Sequence, residues 1–259
     1  MRYNLTDITF MIPVRIDSMI RFENLLLTIQ SIQRNFITNI IVLEASDYNN
    51  GLVQKLLGNK IEYRFFEDRD PVFYRTKYIN NMTEISDTPY LAIWDADVII
   101  PKEQLIQSVD RLRDGVDVVF PYDGHFYDTS DTIRELYFKT KNIRVLKKNH
   151  NRMDLPYGAH MVGGAILVNK KSYVHSGKEN LKFYGWGPED GERFHRWKVL
   201  GMNVEFIPGY LFHLSHPRGT NSSFRSNNQR LHTQNELLLT QQSSKEELLS
   251  IINKQNVSK

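Results

Sequence analysis

Apolar residues fall along this chain in short strand-length runs that alternate with helical stripes. Ile8–Val14 reads as a buried-strand run, closed by Arg15-Ile16-Asp17 as a loop. Behind a cap at Asp17 or Ser18, Phe22, Leu25 or Leu26, Ile29, Ile32 and Phe36 recur at helical spacing. A second strand is expected at Asn39–Glu44, a short helix from Leu52 to Leu57 stopped by Gly58, and a third strand at Ile61–Phe66. A helix from about Phe73 to Met82 leads into the apolar run Tyr90–Pro101. Leu105, Val109 and Leu112 then share one helical face, and Val116–Pro121 reads as a fifth strand. This β-α-β-α order predicts an α/β domain with a mainly parallel sheet and helices on both faces.

The second half is less regular. Thr132-Ile133-Arg134-Glu135 reads as a capping box, and Met161–Val168 as a strand interrupted by Gly163-Gly164. Paired glycines there mean either a bulge or the close approach of a ligand or another backbone. Gly187-Pro188 opens a helix that Gly201 ends, which puts Glu189 and Asp190 in the first turn, where the helix dipole favours negative charge. Val204–Pro208 starts a last strand running toward His213 and His216. Gly219–Asn228 reads as a polar, mobile link. The remainder is a helical tail for packing or association, with a second capping box at Ser244-Lys245-Glu246-Glu247. The expected organisation is a single domain over 1–228, with halves at 1–101 and 102–228, followed by the tail at 229–259.

Two positions carry chemistry on pattern alone. Asp95 and Asp97 end the Tyr90 run one residue apart, so strand alternation sends both carboxylates to the same side. The carboxyl edge of an open α/β sheet is where ligands bind, and two acids there suit a hard divalent cation holding a diphosphate. Two solvated acids at a strand end give the same pattern.

Composition narrows the field modestly. Hydrophobic residues are 41% and charged residues 24% of 259, ordinary for a globular protein. A net charge of +3 is too small to argue for nucleic acid, and no nucleic-acid partner is expected. With no cysteine, disulfides and thiolate chemistry are excluded. The N-terminus lacks a signal-peptide pattern and no apolar run approaches the ~20 residues of a membrane span, so a cytoplasmic protein is expected. The basic run Lys139, Lys141, Arg144, Lys147, Lys148, His150 and Arg152 reads first as a solvated loop. Its alternative is contact with anionic phosphates, including peripheral attachment to the inner face of a plasma membrane.

Taken together, these pieces resemble the GT-A glycosyltransferases, and most closely the group containing β-1,4-galactosyltransferases and bacterial chondroitin-type polymerases. The matching segments run in family order over about Ile8 to Gly219. Ile12-Pro13-Val14-Arg15 is similar to the first-strand nucleotide segment, and the resemblance implies nucleotide-sugar contacts for Pro13, Arg15 and Glu44. Phe73-Tyr74-Arg75 resembles the segment whose aromatic packs on uracil and whose arginine touches the nucleotide. Asp95-Ala96-Asp97 matches the D-x-D, implying Asp97 as metal ligand and Asp95 as donor contact. Gly185-Trp186-Gly187-Pro188-Glu189-Asp190 is similar to the G-W-G-x-E-D signature, the most specific piece. His213 falls where the family has its second metal ligand. The acidic run is shorter than is usual for the family, Gly191 following Asp190.

The resemblance implies a metal-dependent inverting transfer of a hexose or N-acetylhexosamine from a UDP-sugar, with Mn2+ or Mg2+ as the ion. Galactose or N-acetylgalactosamine is the favoured sugar type. Asp190 is the expected general base. Glu189, Trp186 and Gly164 are the expected acceptor side, with a glycan or lipid-linked oligosaccharide of surface-polysaccharide synthesis as acceptor. Since residues three apart on a strand face opposite ways, only one of His213 and His216 is expected to bind metal, His213 first. A sugar-phosphate nucleotidyltransferase needs a glycine-rich loop after the first strand, which Pro13–Ser18 lacks. A non-catalytic UDP-sugar or glycan-binding protein on the same scaffold is the other alternative.

Overall fold

The computed structural model describes residues 1–257. Its first half runs β1 (Tyr3–Val14), α1 (Met19–Asn35), β2 (Phe36–Ser46), α2 (Leu52–Leu57), β3 (Glu62–Glu67), α3 (Arg75–Ile85), β4 (Tyr90–Trp94), β5 (Val98–Ile99) and α4 (Lys102–Arg113). The second runs β6 (Val118–Phe120), β7 (Phe126–Asp128), α5 (Asp131–Thr140), α6 (Ile143–Asn149), β8 (Ala165–Asn169) and α7 (Lys170–His175). It closes with α8 (Glu189–Leu200), β9 (Val204–Phe206), β10 (Leu211–His213), α9 (Asn227–Gln242) and α10 (Lys245–Val257).

Seven strands form one sheet in the order β3-β2-β1-β4-β8-β6-β9. Only β8 runs against its neighbours, β4 and β6, so the sheet is mainly parallel as expected. Every residue from Phe10 to Val14 is buried, so both faces of β1 are covered, which is why that segment reads as unbroken hydrophobicity. From β1 the chain moves outward to β2 and β3, then returns to β4 on the opposite side. The order reverses at the β1/β4 pair, and the crevice beyond the carboxyl ends of such a pair is where an open α/β sheet takes ligands.

The Tyr90–Pro101 run is not one strand. β4 stops at Trp94, whose indole packs edge-on against Phe10 and donates to the Val98 carbonyl at 3.1 Å. Asp95-Ala96-Asp97 form a turn held by three bonds: the Asp95 N–H to Gly164 O (2.8 Å), the Val98 N–H to Asp95 O (3.4 Å), and the Thr28 hydroxyl to Ala96 O (3.0 Å). Both carboxylates therefore owe their direction to a turn, and strand alternation does not apply to them. β5 then enters a second sheet, β5-β10-β7. The expected strand from Val204 to His213 breaks likewise at Pro208-Gly209, where Gly209 has φ +126° and packs against Gln104. Its halves, β9 and β10, belong to different sheets.

Helix caps are partly as expected. Ser18 caps α1, its hydroxyl accepting from the Arg21 N–H, and the Ser244–Glu247 box forms in both directions at 2.8 and 3.2 Å. The Thr132 box does not cap: Ser130 takes that place and α5 starts at Asp131. The basic run is helical, not a loop, through the end of α5, α6 and a 3-10 turn at His150–Arg152. Leu146 and Met153 bury that layer against Phe212 and Leu214, on and just beyond β10. The expected polar link holds a 3-10 turn at Thr220–Ser222, and α9 already begins at Asn227. In the tail, α9 packs along α8, and α10 sets Leu248 and Ile252 against Leu200. Ser258 and Lys259 of the expected tail lie outside the described residues. No described helix is long and apolar enough to cross a membrane.

Candidate active site

One cavity of about 590 Å³ opens at the carboxyl ends of β1 and β4. It is lined by Pro13, Arg15, Phe73, Arg75, Asp95, Asp97, Gly164, Trp186, Glu189, Asp190, His213 and His216. Twelve of the thirteen residues singled out from the sequence thus meet at one rim. Glu44 is the one not brought there. It is buried on β2, accepts the Tyr63 hydroxyl at 2.6 Å, and is pushed up by burial, with that hydrogen bond opposing.

Asp97, His213 and His216 form a cluster whose three ligand-capable atoms lie within 4.8 Å of one another. His213 Nε2 is 3.5 Å from Asp97 Oδ1, and His216 Nε2 is 3.2 Å from Asp97 Oδ2. The expectation that only one histidine can face the site is not met. β10 ends at His213, and the irregular backbone from Leu214 onward turns His216 back toward Asp97, so alternation no longer governs its direction. The His213 ring is oriented from behind by Asp128 Oδ1 at 2.9 Å, the usual support of a metal-binding imidazole. Burial alone raises the Asp97 carboxyl, but the charge and hydrogen bonds of His213 and His216 outweigh it and hold Asp97 well below the carboxylate range. Burial opposes charge on His213, yet Asp97 and Asp128 push it up to about 10. One carboxylate and two imidazoles that converge, one with a carboxylate behind it, fit a divalent ion such as Mn2+.

From Asp95 a chain of alternating charges leads to the first turn of α8. Arg75 Nη2 donates to Asp95 Oδ1 at 2.7 Å, and Arg75 Nη1 lies 3.6 Å from Asp190 Oδ1. Arg193 Nη2 donates to the same Asp190 oxygen at 2.5 Å, and its Nη1 to Glu179 at 2.6 Å. The other Asp190 oxygen, Oδ2, rests over Gly163, where a Cβ would stand 2.4 Å from it. Gly163 itself is held by the Tyr122 hydroxyl, which donates to its carbonyl at 2.6 Å. The paired glycines therefore make room for a carboxylate, and Gly164, at φ +80°, turns the chain into β8. Next to Asp190, the Glu189 Oε2 is buried with no hydrogen-bond partner. Burial, then the Asp190 charge, push the Glu189 carboxyl up to about 8 against the pull of Arg75.

The opposite wall carries an arginine on an aromatic ring. Arg15 lies 5.6 Å over Phe73 and already donates to Ala45 O, Asp70 O and Asp68. Trp186 is 36% exposed and packs edge-on against Phe224. Gln229 on α9 donates to the carbonyls of Tyr184 and Trp186 at 3.0 and 2.9 Å, while Gln234 and Leu237 line the cavity. The tail thus takes part in the site wall. Arg21, Asp128, Arg193 and Gln229 are the residues that sequence reasoning missed. Arg21 sits one helical turn after Asp17, with Nη1 3.7 Å from Asp97 Oδ2, and its place at the start of the first helix was the only available signal.

A family model described as the N-terminal domain of galactosyltransferase matches residues 144–217, a segment holding the glycine pair, Trp186, Glu189, Asp190 and both cluster histidines. The β-1,4-galactosyltransferase 7 proteins of Mus musculus and Homo sapiens are each 28% identical over 120 residues, 46% of this chain. The chain spans about a quarter (27%) of the length of these curated relatives. Among solved structures, the catalytic domain of Drosophila β-1,4-galactosyltransferase 7 with xylobiose aligns at TM-score 0.57 and 16% identity, over 90% of this chain and 79% of that one. A mutant of the Drosophila enzyme, complexed with manganese, UDP-Gal and xylobiose, aligns at TM-score 0.54 and 16% identity, over 87% and 78%. The chain has the GT-A fold of these catalytic domains.

Proposed function

We propose that this GT-A, galactosyltransferase-like chain is a metal-dependent inverting glycosyltransferase that moves a hexose, galactose in the first instance, from a UDP-sugar to a glycan hydroxyl. The observation that carries this reading is that Asp190 and the Asp97–His213–His216 cluster face one cavity, joined through Asp95 and Arg75. Manganese and UDP-Gal in the Drosophila complex support the choice of ion and donor.

Asp97, His213 and His216 would hold the ion, which when bound supplies positive charge to the diphosphate of the departing UDP. Arg21, close to Asp97, adds a fixed cation on the same side. Phe73 offers a flat face to uracil, with Arg15 behind it. Asp190 takes the proton of the acceptor hydroxyl as that oxygen bonds to the anomeric carbon. The bond to UDP breaks on the opposite face, so an α-linked donor yields a β-linked product. Trp186 presents an apolar ring to the acceptor sugar. Glu189, carrying its proton near neutral pH, donates or accepts a hydrogen bond with an acceptor hydroxyl. The reading extends to cytoplasmic synthesis of a surface polysaccharide, on a glycan or lipid-linked oligosaccharide.

Thermal melts with UDP-galactose, UDP-N-acetylgalactosamine and UDP-glucose, each with and without Mn2+, test donor binding. UDP release with oligosaccharide acceptors then tests transfer. Stabilisation by one UDP-sugar only when Mn2+ is present is the expected result. No metal-dependent stabilisation by any of them rules the reading out.

A further inference from the structure

We propose that the exposed face of α5 and α6 is a docking surface for an anionic lipid bilayer. From Leu136 to Met153 the chain has no Asp or Glu but six Lys and Arg: Lys139, Lys141, Arg144, Lys147, Lys148 and Arg152. Subtracting these six from the net +3 leaves −3 for the rest, so the chain's whole cationic surplus sits in this stretch. All six side chains are exposed. A surface that only needs solubility intersperses both signs, whereas here acids enter only at the margins, at Glu103, Glu135 and Asp154.

The helix geometry gathers the charge. Arg144, Lys147 and Lys148 stand at i, i+3 and i+4 on α6, one solvent-facing stripe, with Leu146 buried on the other side. Lys139 lies 3.3 Å from Glu135 and Lys147 3.7 Å from Glu103. Among the described residues Lys141, Arg144, Lys148 and Arg152 have no ion-pair partner.

Exposed hydrocarbon flanks the cations and selects a bilayer over a soluble polyanion. Leu136, one turn before Lys139, is 45% exposed, and Leu155 and Tyr157 follow Arg152 at 37% and 45%. Aliphatic and tyrosyl groups beside lysines are the composition of an interfacial anchor and add nothing to binding of a water-borne anion. The surface is also tied to the cavity. The layer packs on the β10 region, β10 ends at His213, and Tyr157 lines the cavity against Phe126. A bilayer on this face would bring acceptors carried at the membrane surface to the cavity mouth. The inference stands whether or not the chain transfers sugar, because it rests on charge and exposure alone.

Flotation of the full chain with phosphatidylcholine vesicles, with and without phosphatidylglycerol and at low and high salt, is the test. Binding is expected only with the anionic lipid, and high salt is expected to reverse it. Each surface cation counts for about fivefold in affinity, so Lys141→Gln, Arg144→Gln, Lys148→Gln and Arg152→Gln together should weaken it by about a hundredfold or more. Lys141→Arg with Lys148→Arg should bind as the unmodified chain does. Leu136→Ser, alone, should weaken binding by severalfold with charge intact, which keeps the idea testable if the fourfold variant fails to fold. Equal binding to neutral vesicles, no binding to anionic ones, or tight binding to soluble heparin with none to vesicles overturns the proposal.

Discussion

Arg193 Nη2 donates to Asp190 Oδ1 at 2.5 Å from three residues further along α8, while Nη1 of the same guanidinium holds Glu179 at 2.6 Å. Arg193 and Glu179 are each 1% exposed at the side chain, so the carboxylate assigned as base is anchored to an ion pair sealed in the core. One Asp190 oxygen is thereby occupied, and the other is left over Gly163. Lysine is a compact point charge without the planar fork that sends one nitrogen to each acid, so it does not reproduce this geometry. Arg193→Lys should therefore lower kcat about tenfold with the donor KM little changed. Asp190→Asn should reduce kcat by about a thousandfold and leave UDP affinity nearly as it was. Steady-state rates with varied donor, beside calorimetry for UDP, check both. Near-normal turnover of Asp190→Asn would remove Asp190 from the role of base.

The metal cluster makes a prediction that distinguishes two histidines from one. Asp97→Ala, His213→Ala and His216→Ala should each weaken Mn2+-dependent UDP binding by at least about tenfold, since all three converge on one point. Titration calorimetry of UDP with and without Mn2+ reads this directly. An unchanged His216→Ala would leave His213 and Asp97 as the protein ligands.

Gly163→Ala isolates the space beneath the carboxylate. Its new Cβ would stand 2.4 Å from Asp190 Oδ2, and the Tyr122 hydroxyl prevents the backbone from backing away. The backbone conformation at Gly163 is open to any residue, so the protein should fold with a loss of about 1–3 kcal/mol from overpacking. Turnover should fall about tenfold or more. Full activity in the folded variant would show that Asp190 works without its seat on Gly163.

Glu189 makes stability fall with rising pH. Its carboxyl is pushed up to about 8 from 4.5 by burial and then Asp190, with Glu179 adding to the rise and Arg75 opposing it. The folded protein holds this proton more tightly than the unfolded chain. That stability is present in full below about pH 4.5 and is lost as pH rises through about 8. Thermal melts from pH 5 to 8.5, without metal or nucleotide, should show a steeper decline in the unmodified chain than in Glu189→Gln. Equal slopes would show that Glu189 carries no such proton.

Much of the site could be read before folding, for a physical reason. Asp95, Asp97, Trp186, Glu189 and Asp190 sit where local signals are strong: an apolar run that ends in acids, and a Gly-Pro helix start followed by first-turn carboxylates. The β-α-β-α order of the first half was legible because its strands are buried on both faces and its longer helices carry one apolar stripe. β7 and α7 were not legible, since Phe126-Tyr127-Asp128 and Lys170-Lys171-Ser172-Tyr173-Val174-His175 show neither an apolar run nor a repeated apolar stripe. Arg193 and Asp128 had no local mark either. Each matters through a partner, Asp190 or His213, that only the packed chain places beside it.

The linear order of residues was enough to settle the layered α/β class, the segment that bears each acid, and the concentration of positive charge before Met153, since all three follow from neighbours within a turn or a strand. It was not enough to settle the direction of a side chain once the backbone leaves regular structure. Alternation predicted one histidine at the ion and two acids projected by a strand. Folding instead put a turn at Asp95-Ala96-Asp97, carried His216 back to Asp97, and set α9 against the Trp186 loop. The turn and the seat of α9 rest on long-range hydrogen bonds, Asp95 to Gly164 and Gln229 to Trp186, between residues 69 and 43 positions apart, and no local pattern encodes such a meeting.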